Sequence, residues 1–143
     1  MTTVGIIGNG FVGNAINQAM KRRLFETSIF DIESNKSPNS LEEAVASDII
    51  FVCVPAPTDI ENGITDATQI MNIVKNIPKN HHSQIILKST LLPGTSRKIS
   101  EKRPDLNIVF SPEFLTERTA VIDFENPTRI VLGFSADKLS QEN

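Results

Sequence analysis

Cysteine and histidine are scarce in this sequence. Its 143 residues include one cysteine and two histidines. The lone cysteine, Cys53, excludes an internal disulfide and is typical of a protein from a reducing compartment. The histidines, His81 and His82, are adjacent, and neighbouring side chains rarely point at one metal ion. We therefore expect no metal site.

Strong charge of one sign and long apolar runs are also missing. The formal net charge is -3, and the longest basic run covers residues 21–23, so nothing predicts a surface for nucleic acid. No apolar run approaches the roughly 18 residues that span a bilayer, and the N-terminus has a strand pattern instead of a signal peptide. We expect neither nucleic acid nor a membrane as a partner, and a cytoplasmic location.

The overall composition is that of an ordinary globular protein. Hydrophobic residues make up 39% and charged residues 22% of the chain, and this length suits one domain. Internal repeats, low-complexity tracts and an interdomain linker are absent. We expect a single domain over residues 1–134, followed by a polar tail at residues 135–143.

Short apolar segments alternate with amphipathic stretches along the chain. This alternation predicts an α/β fold, a doubly wound and mainly parallel six-stranded sheet of the Rossmann type. The expected strand order is 3-2-1-4-5-6, with a ligand crevice beside the first strand. The predicted strands cover residues 4–8, 27–31, 48–54, 84–88, 107–110 and 129–133, and the predicted helices cover residues 11–23, 41–46, 67–75 and 95–102.

A glycine-rich loop joins the first predicted strand to the first predicted helix. Gly8, Gly10 and Gly13 form the pattern G-x-G-x-x-G with Phe11 and Val12 between them. Gly8 permits a tight turn, Gly10 lets a pyrophosphate approach the backbone, and Gly13 lets the helix pack closely on the strand. The free N–H groups at the helix start favour bound phosphate. The loop predicts a dinucleotide site, and the alternative is a glycine-rich turn without a ligand.

An acidic residue stands where such a site needs one. Asp31 ends the second predicted strand, 18 residues after Gly13, where its carboxylate can accept hydrogen bonds from the adenosine ribose. A 2′-phosphate would meet a like charge there, so Asp31 favours NAD over NADP, although the nearby Lys36 softens the discrimination. The alternative is that Asp31 is an ordinary surface acid.

Three further segments go beyond a generic dinucleotide-binding fold. They read FVCVPAPT from residue 51, LKSTLLPGT from residue 87 and FSPEFLTERTAVIDFENPTRIVLG from residue 110. Together they resemble the NAD-binding half of the UDP-glucose/GDP-mannose dehydrogenase family, nearest its UDP-glucose branch. The resemblance implies NAD as cofactor and a nucleotide sugar as substrate. Members oxidise the C6 alcohol of the sugar to a carboxylate in two NAD-dependent steps.

The first two segments carry candidate cofactor contacts. Pro55 stiffens the turn after the third strand and places Thr58 at the rim of the crevice. Ser89 and Thr90 leave the fourth strand with hydroxyl groups that can reach the nicotinamide ribose and the reacting centre. A turn-capping role for these two hydroxyls is the open alternative.

The third segment carries candidate catalytic residues. The resemblance implies that Glu113 is the acid/base group, acting through water with Thr90, and that Glu117 is a second active-site acid. It also implies that the backbone of Phe114 and Leu115 touches the nucleotide sugar. On one helical turn, Glu113 and Glu117 would face the same way. The alternative is that Glu113 only solvates or caps a loop.

The sequence also departs from the family. It has no counterpart of the substrate-binding half, which supplies the nucleophilic cysteine, and Cys53 is predicted to be a buried mid-strand hydrophobe. Thr116, Arg118 and Leu92 replace family residues. We expect a chain that is inactive alone and is completed by a separate chain or a homo-oligomer. The alternatives are a non-catalytic dinucleotide-binding or protein-interaction module, and a longer enzyme cut to this length.

Overall fold

The computed structural model describes residues 1–79 and 82–134, whose centre is a five-stranded parallel sheet. The strands of this sheet are β1 (Thr3–Ile7), β2 (Glu26–Phe30), β3 (Ile49–Val52), β6 (Gln84–Leu87) and β7 (Asn107–Phe110). Between β3 and β6, the strands β4 (Thr58–Asp59) and β5 (Ile64–Thr65) form an antiparallel hairpin. The helices are α1 (Phe11–Arg22), α2 (Leu41–Val45), α3 (Thr68–Asn76), α4 (Thr95–Lys102) and α5 (Ala120–Glu125).

Apolar side chains cover both faces of the sheet, as expected for parallel strands. On one face, Ile6 and Phe51 pack with Ile16 of α1. On the other face, Ile7 and Val52 pack in a larger cluster with buried residues of α2, α3 and α4. Successive residues of β1 therefore serve opposite faces, which fixes its register at the centre of the sheet.

The strand order differs from the prediction. Along the sheet it is β2-β1-β3-β6-β7, not 3-2-1-4-5-6, because the chain crosses to the other side of β1 after one strand instead of two. Since α1 and α2 pack on opposite faces, the crossovers on the two sides of β1 can both keep the usual right hand. The point where the winding reverses lies between β1 and β3, and ligands of such sheets bind outside the carboxyl ends of the strands at that point.

The predicted sixth strand, residues 129–133, does not form. Only Gly133 pairs with β7, in an isolated antiparallel bridge to Phe110 with N···O distances of 2.9 and 2.7 Å. Phe110 is the last residue of β7, so an antiparallel segment that reaches it at Gly133 has its preceding residues beyond the end of that strand. The apolar pattern of residues 129–133 is typical of a strand, but the residues before Gly133 lie beyond the end of β7 and have no strand to pair with.

The other differences are local. The structure adds the β4–β5 hairpin, helix α5 and short 3₁₀ turns at Ser34–Lys36 and Glu117–Thr119, and half of the predicted helix ends move by one residue. Helix α5 packs on α1, where Arg22 Nη1 lies 2.8 Å from Glu125 Oε2. The predicted tail, residues 135–143, lies outside the described residues. Across residues 1–79 and 82–134, no helix has the length and apolar character needed to cross a membrane.

Candidate active site

A cleft of about 970 Å³ opens at the carboxyl ends of β1, β3 and β6. It brings together most of the residues that the sequence singled out. The predicted residues that line it are Gly8, Gly10, Phe11, Val12, Asp31, Lys36, Pro55, Ser89, Thr90, Glu113 and Leu115. Gly13, Thr58, Phe114 and Glu117 are not part of its lining.

The three glycines of the loop have different roles. Gly8 has a φ of 95°, and a Cβ there would lie 2.8 Å from Cys53 O. A Cβ on Gly13 would lie 1.9 Å from Gly8 O, whereas a Cβ on Gly10 would meet nothing within 4 Å. The fold itself therefore requires glycine at the first and last positions. At Gly10 the missing Cβ instead leaves open space in the cleft wall.

The start of α1 suits an anion. Gly10 is the N-cap residue and makes no side-chain cap, and the first-turn N–H groups of a helix have no intrahelical partner. These groups and the helix dipole attract negative charge to the open space beside Gly10. The arrangement fits the pyrophosphate of a dinucleotide.

Asp31 is held beside the glycine loop by backbone groups. Its Oδ2 accepts a hydrogen bond from Asn9 N at 2.6 Å, and its Oδ1 accepts one from Glu33 N at 2.8 Å. The Asn9 side chain in turn donates from Nδ2 to Lys36 O at 2.8 Å. Each carboxylate oxygen keeps a further lone pair, so a fixed Asp31 can still accept hydrogen bonds from ribose hydroxyls.

A hydrogen bond from the segment that follows β6 stabilises the turn after β3. Buried Ser89 donates from Oγ to Val54 O at 2.6 Å, which is the turn-stabilising role left open above. Thr90 is exposed in the cleft. Thr58 lies in the hairpin, where its Oγ1 donates to Ala56 O at 3.3 Å and lies 3.3 Å from Thr65 Oγ1. Thr58 therefore stabilises the turn from outside the cleft.

A buried ion pair lies at the other end of the cleft. Lys88 Nζ lies 2.7 Å from Glu113 Oε2, and the two side chains are only 8% and 14% exposed. Lys88 also donates to Ser111 Oγ at 3.3 Å, while Glu113 Oε1 accepts from Phe114 N at 3.0 Å. Among the described residues, Glu113 Oε2 accepts no hydrogen bond of good geometry. This oxygen is buried against the lysine, whereas the Glu113 side chain as a whole lines the cleft.

Lys88 is a site residue that the sequence reasoning missed. The signal was present, because a charged residue directly after the buried strand β6 must find a partner. That partner, Glu113, follows the neighbouring strand β7, and the carboxyl ends of parallel neighbours lie together. The ion pair could be recognised only once β6 and β7 were known to be neighbours in the sheet.

Glu113 and Glu117 do not share a helical turn. Residues 111–116 are not helical, and Glu117 begins a 3₁₀ turn with its side chain exposed. Phe114 is also exposed, and the Arg129 guanidinium lies over its ring, 4.5 Å from the ring centre. Phe114, Leu115 and Glu113 line a second cavity of about 430 Å³ beside the first.

Cys53 also lines the cleft. It follows β3 instead of lying within it, and it is half-buried. Burial raises the pKa of the thiol to about 12, the charge of Lys88 opposes this rise and that of Glu113 adds to it. The thiol is therefore neutral at physiological pH and is a poor nucleophile. His82 is exposed, and His81 lies outside the described residues.

The fold and the glycine-loop cleft define a dinucleotide-binding Rossmann domain. The profile described as "UDP-glucose/GDP-mannose dehydrogenase family, NAD binding domain" matches residues 36–142. The chain belongs to this family, and its cofactor is NAD. The family, the fold class and the cofactor expected from the sequence are thus confirmed, with the strand number and order corrected.

Individual relatives agree with this assignment. The chain is 41% identical over 87 residues to UDP-glucose 6-dehydrogenase of Campylobacter jejuni and 36% identical over 104 residues to that of Rhizobium meliloti. These alignments cover 58% and 66% of this chain but only 22% and 24% of the relatives. The chain thus matches about a quarter of the length of these two relatives.

Solved structures show the same fold. GDP-mannose dehydrogenase from Pseudomonas aeruginosa superposes with a TM-score of 0.75 at 24% identity, over 97% of this chain and 42% of that one. UDP-glucose dehydrogenase from Pyrobaculum islandicum gives a TM-score of 0.76 at 22% identity, over 98% of this chain and 42% of that one.

The different roles of the glycines give a stability test. We expect Gly13→Ala to lower the free energy of unfolding by about 2 kcal/mol, because the new Cβ forces α1 away from the loop. Gly10→Ser is the matched control, since its side chain enters open space and serine is a good N-cap, so a change within about 0.5 kcal/mol is expected. Urea denaturation measures both. Equal stabilities would contradict the close packing at Gly13.

The buried ion pair gives a second test. Lys88→Met leaves the Glu113 carboxylate without its countercharge, and we expect a loss of about 3 kcal/mol in urea denaturation. Adding Glu113→Gln to this variant should recover part of the loss because it removes the uncompensated charge. Lys98→Met, at an exposed lysine of α4, is the control and should change stability by less than about 0.5 kcal/mol. A Lys88 variant as stable as the Lys98 variant would refute the coupling.

Proposed function

We propose that this chain is the NAD-binding half of a nucleotide-sugar 6-dehydrogenase of the UDP-glucose type. The observation that carries the proposal is that one cleft is lined by the glycine loop and Asp31 and also by Thr90 and Glu113. A dinucleotide held by the first group would extend towards the second. The relatives named as UDP-glucose 6-dehydrogenases favour this substrate type.

In this proposal the two halves of NAD occupy opposite ends of the cleft. The pyrophosphate lies on the N–H groups beside Gly10, and Asp31 accepts hydrogen bonds from the adenosine ribose. Pro55 and Thr90 flank the nicotinamide end, while Ser89 and Thr58 keep the intervening turn in place. Bound NAD supplies the hydride acceptor.

Glu113 is the proposed general base. The Glu113 side chain lines the same cleft as Thr90, so its carboxylate can take a proton from a substrate hydroxyl, directly or through a water held by Thr90. Lys88 positions this carboxylate. The backbone of Phe114 and Leu115, at the second cavity, is the proposed contact for the nucleotide sugar. Exposed Glu117 has no role in this proposal.

The proposal assigns binding, but not complete turnover, to the 143-residue chain assayed by itself. The raised pKa of Cys53 removes the only cysteine of the sequence as the nucleophile that the family uses for its second oxidation. Hydride transfer also benefits from exclusion of water. We therefore propose that a substrate-binding half completes the site, whether on the same or on another polypeptide.

Calorimetric titration with NAD, NADP, UDP-glucose and GDP-mannose tests the proposal directly. We expect wild-type chain to bind NAD and Gly10→Val to lose at least about tenfold in affinity, because the valine side chain fills the space meant for the pyrophosphate. Circular dichroism checks that the variant is folded. Unchanged NAD affinity in a folded Gly10→Val variant would refute the placement of the pyrophosphate.

The ribose contact has its own test. Asp31→Asn keeps an oxygen for the Asn9 N–H but removes the negative charge, so it should weaken NAD binding and narrow the preference for NAD over NADP, each by about fivefold. Asp31→Ala should weaken NAD further because it also releases the glycine loop. The measurement is the ratio of the dissociation constants for NADP and NAD in each variant. An undiminished preference in both variants would show that another group reads the ribose.

A further inference from the structure

Three charged side chains surround the adenosine end of the cleft. Asp31, Glu33 and Lys36 all line it. Lys36 Nζ lies 2.9 Å from Glu33 Oε2, with side chains that are 42% and 58% exposed. The hydrogen bond to Glu33, assisted by the charges of Glu33 and Asp31, raises the pKa of Lys36. The lysine is therefore a cation whose partner in the structure is Glu33.

The backbone around this pair is held in place. Lys36 N donates to Glu33 O at 2.8 Å, and Lys36 O accepts from Asn9 Nδ2 at 2.8 Å. Glu33 N donates to Asp31 Oδ1 at 2.8 Å. The turn is thus tied to the glycine loop on one side and to Asp31 on the other. A change in the side chain of Glu33 leaves all three of these backbone contacts possible.

We propose that Glu33 is a specificity-determining residue that excludes NADP by its own charge and by holding Lys36 away from a 2′-phosphate. The inference rests on the proposed placement of the adenosine ribose beside Asp31. With Glu33 in place, the three side chains sum to one negative charge. Without it they sum to zero, and Lys36 becomes available to pair with the phosphate dianion.

The exposed position of the pair makes it suited to such a role. Exposed ion pairs contribute little to stability, so loss of Glu33 should change cofactor preference without unfolding the chain. Asp31 alone still disfavours the 2′-phosphate, so the expected result is weakened discrimination rather than reversal. The effect should shrink as salt screens the charges.

Calorimetric titration of Glu33→Gln with NAD and NADP tests the inference. We expect NADP to bind about fivefold more tightly than to wild type, with NAD affinity changed less than about twofold. Glu33→Ala should give the same result and removes any remaining hydrogen bond from Lys36 to the glutamine. Glu101→Gln, at an exposed glutamate of α4, removes one negative charge elsewhere and should leave both affinities unchanged.

Variants of Lys36 separate the two parts of the proposal, which are repulsion of the 2′-phosphate by Glu33 and release of Lys36 when Glu33 is lost. In wild type, Lys36→Met should weaken NADP binding less than it does in the Glu33→Gln background, because Glu33 already pairs with the lysine. In the Glu33→Gln background, Lys36→Met should remove most of the gain. Equal effects of Lys36→Met in the two backgrounds would overturn the claim that Glu33 holds the lysine.

The two proposals fail in distinguishable ways. If the folded wild-type chain binds neither NAD nor NADP, both the proposed function and this inference are refuted. Wild-type chain that binds NAD, together with Glu33→Gln and Glu33→Ala variants whose NADP affinity matches wild type, would overturn the inference alone. A gain of the same size in Glu101→Gln would overturn it too, because net charge alone would then explain the change.

Discussion

The close packing of α1 against the carboxyl end of β1 is the constraint on which the cleft depends. The Cα of Gly13 lies so near the loop that a Cβ would be 1.9 Å from Gly8 O, and Gly8 N is bonded to Phe30 O at 2.8 Å. The start of α1, the end of β1 and the end of β2 thus form one rigid corner. Because Asp31 directly follows Phe30, its distance from the helix start is set by this corner. A diphosphate and a ribose joined to it need such a fixed spacing.

The two ion pairs of the cleft differ in environment, and this suits them to different tasks. Lys36–Glu33 is exposed to water, where Coulomb attraction is weak and partners exchange at little cost. Lys88–Glu113 is largely buried, where an unpaired charge is costly, so its two side chains stay together. The exposed pair can therefore respond to the charge of a bound cofactor. The buried pair can hold a carboxylate in one place during a reaction.

The parts of the structure that the sequence predicted are those fixed by local contacts. Strand β1, helix α1 and the glycine loop are contiguous, and the periodicity of each is visible in the chain. The strand order was not predictable in this way, because it depends on which side of β1 the chain returns to after β2. Residues 129–133 have a good strand pattern, yet pairing needs an available length of β7. Lys88 and Glu113 lie 25 residues apart, and only the alignment of β6 with β7 brings them together.

The position of Cys53 shows why a thiol in the cleft is not sufficient for covalent chemistry. Lys88 favours the thiolate, but burial and the charge of Glu113 favour the thiol, and together they raise the pKa to about 12. At pH 7 the thiol therefore stays protonated. The charge of Glu113, the proposed general base, thus adds to the effect of burial in suppressing a nucleophile beside it.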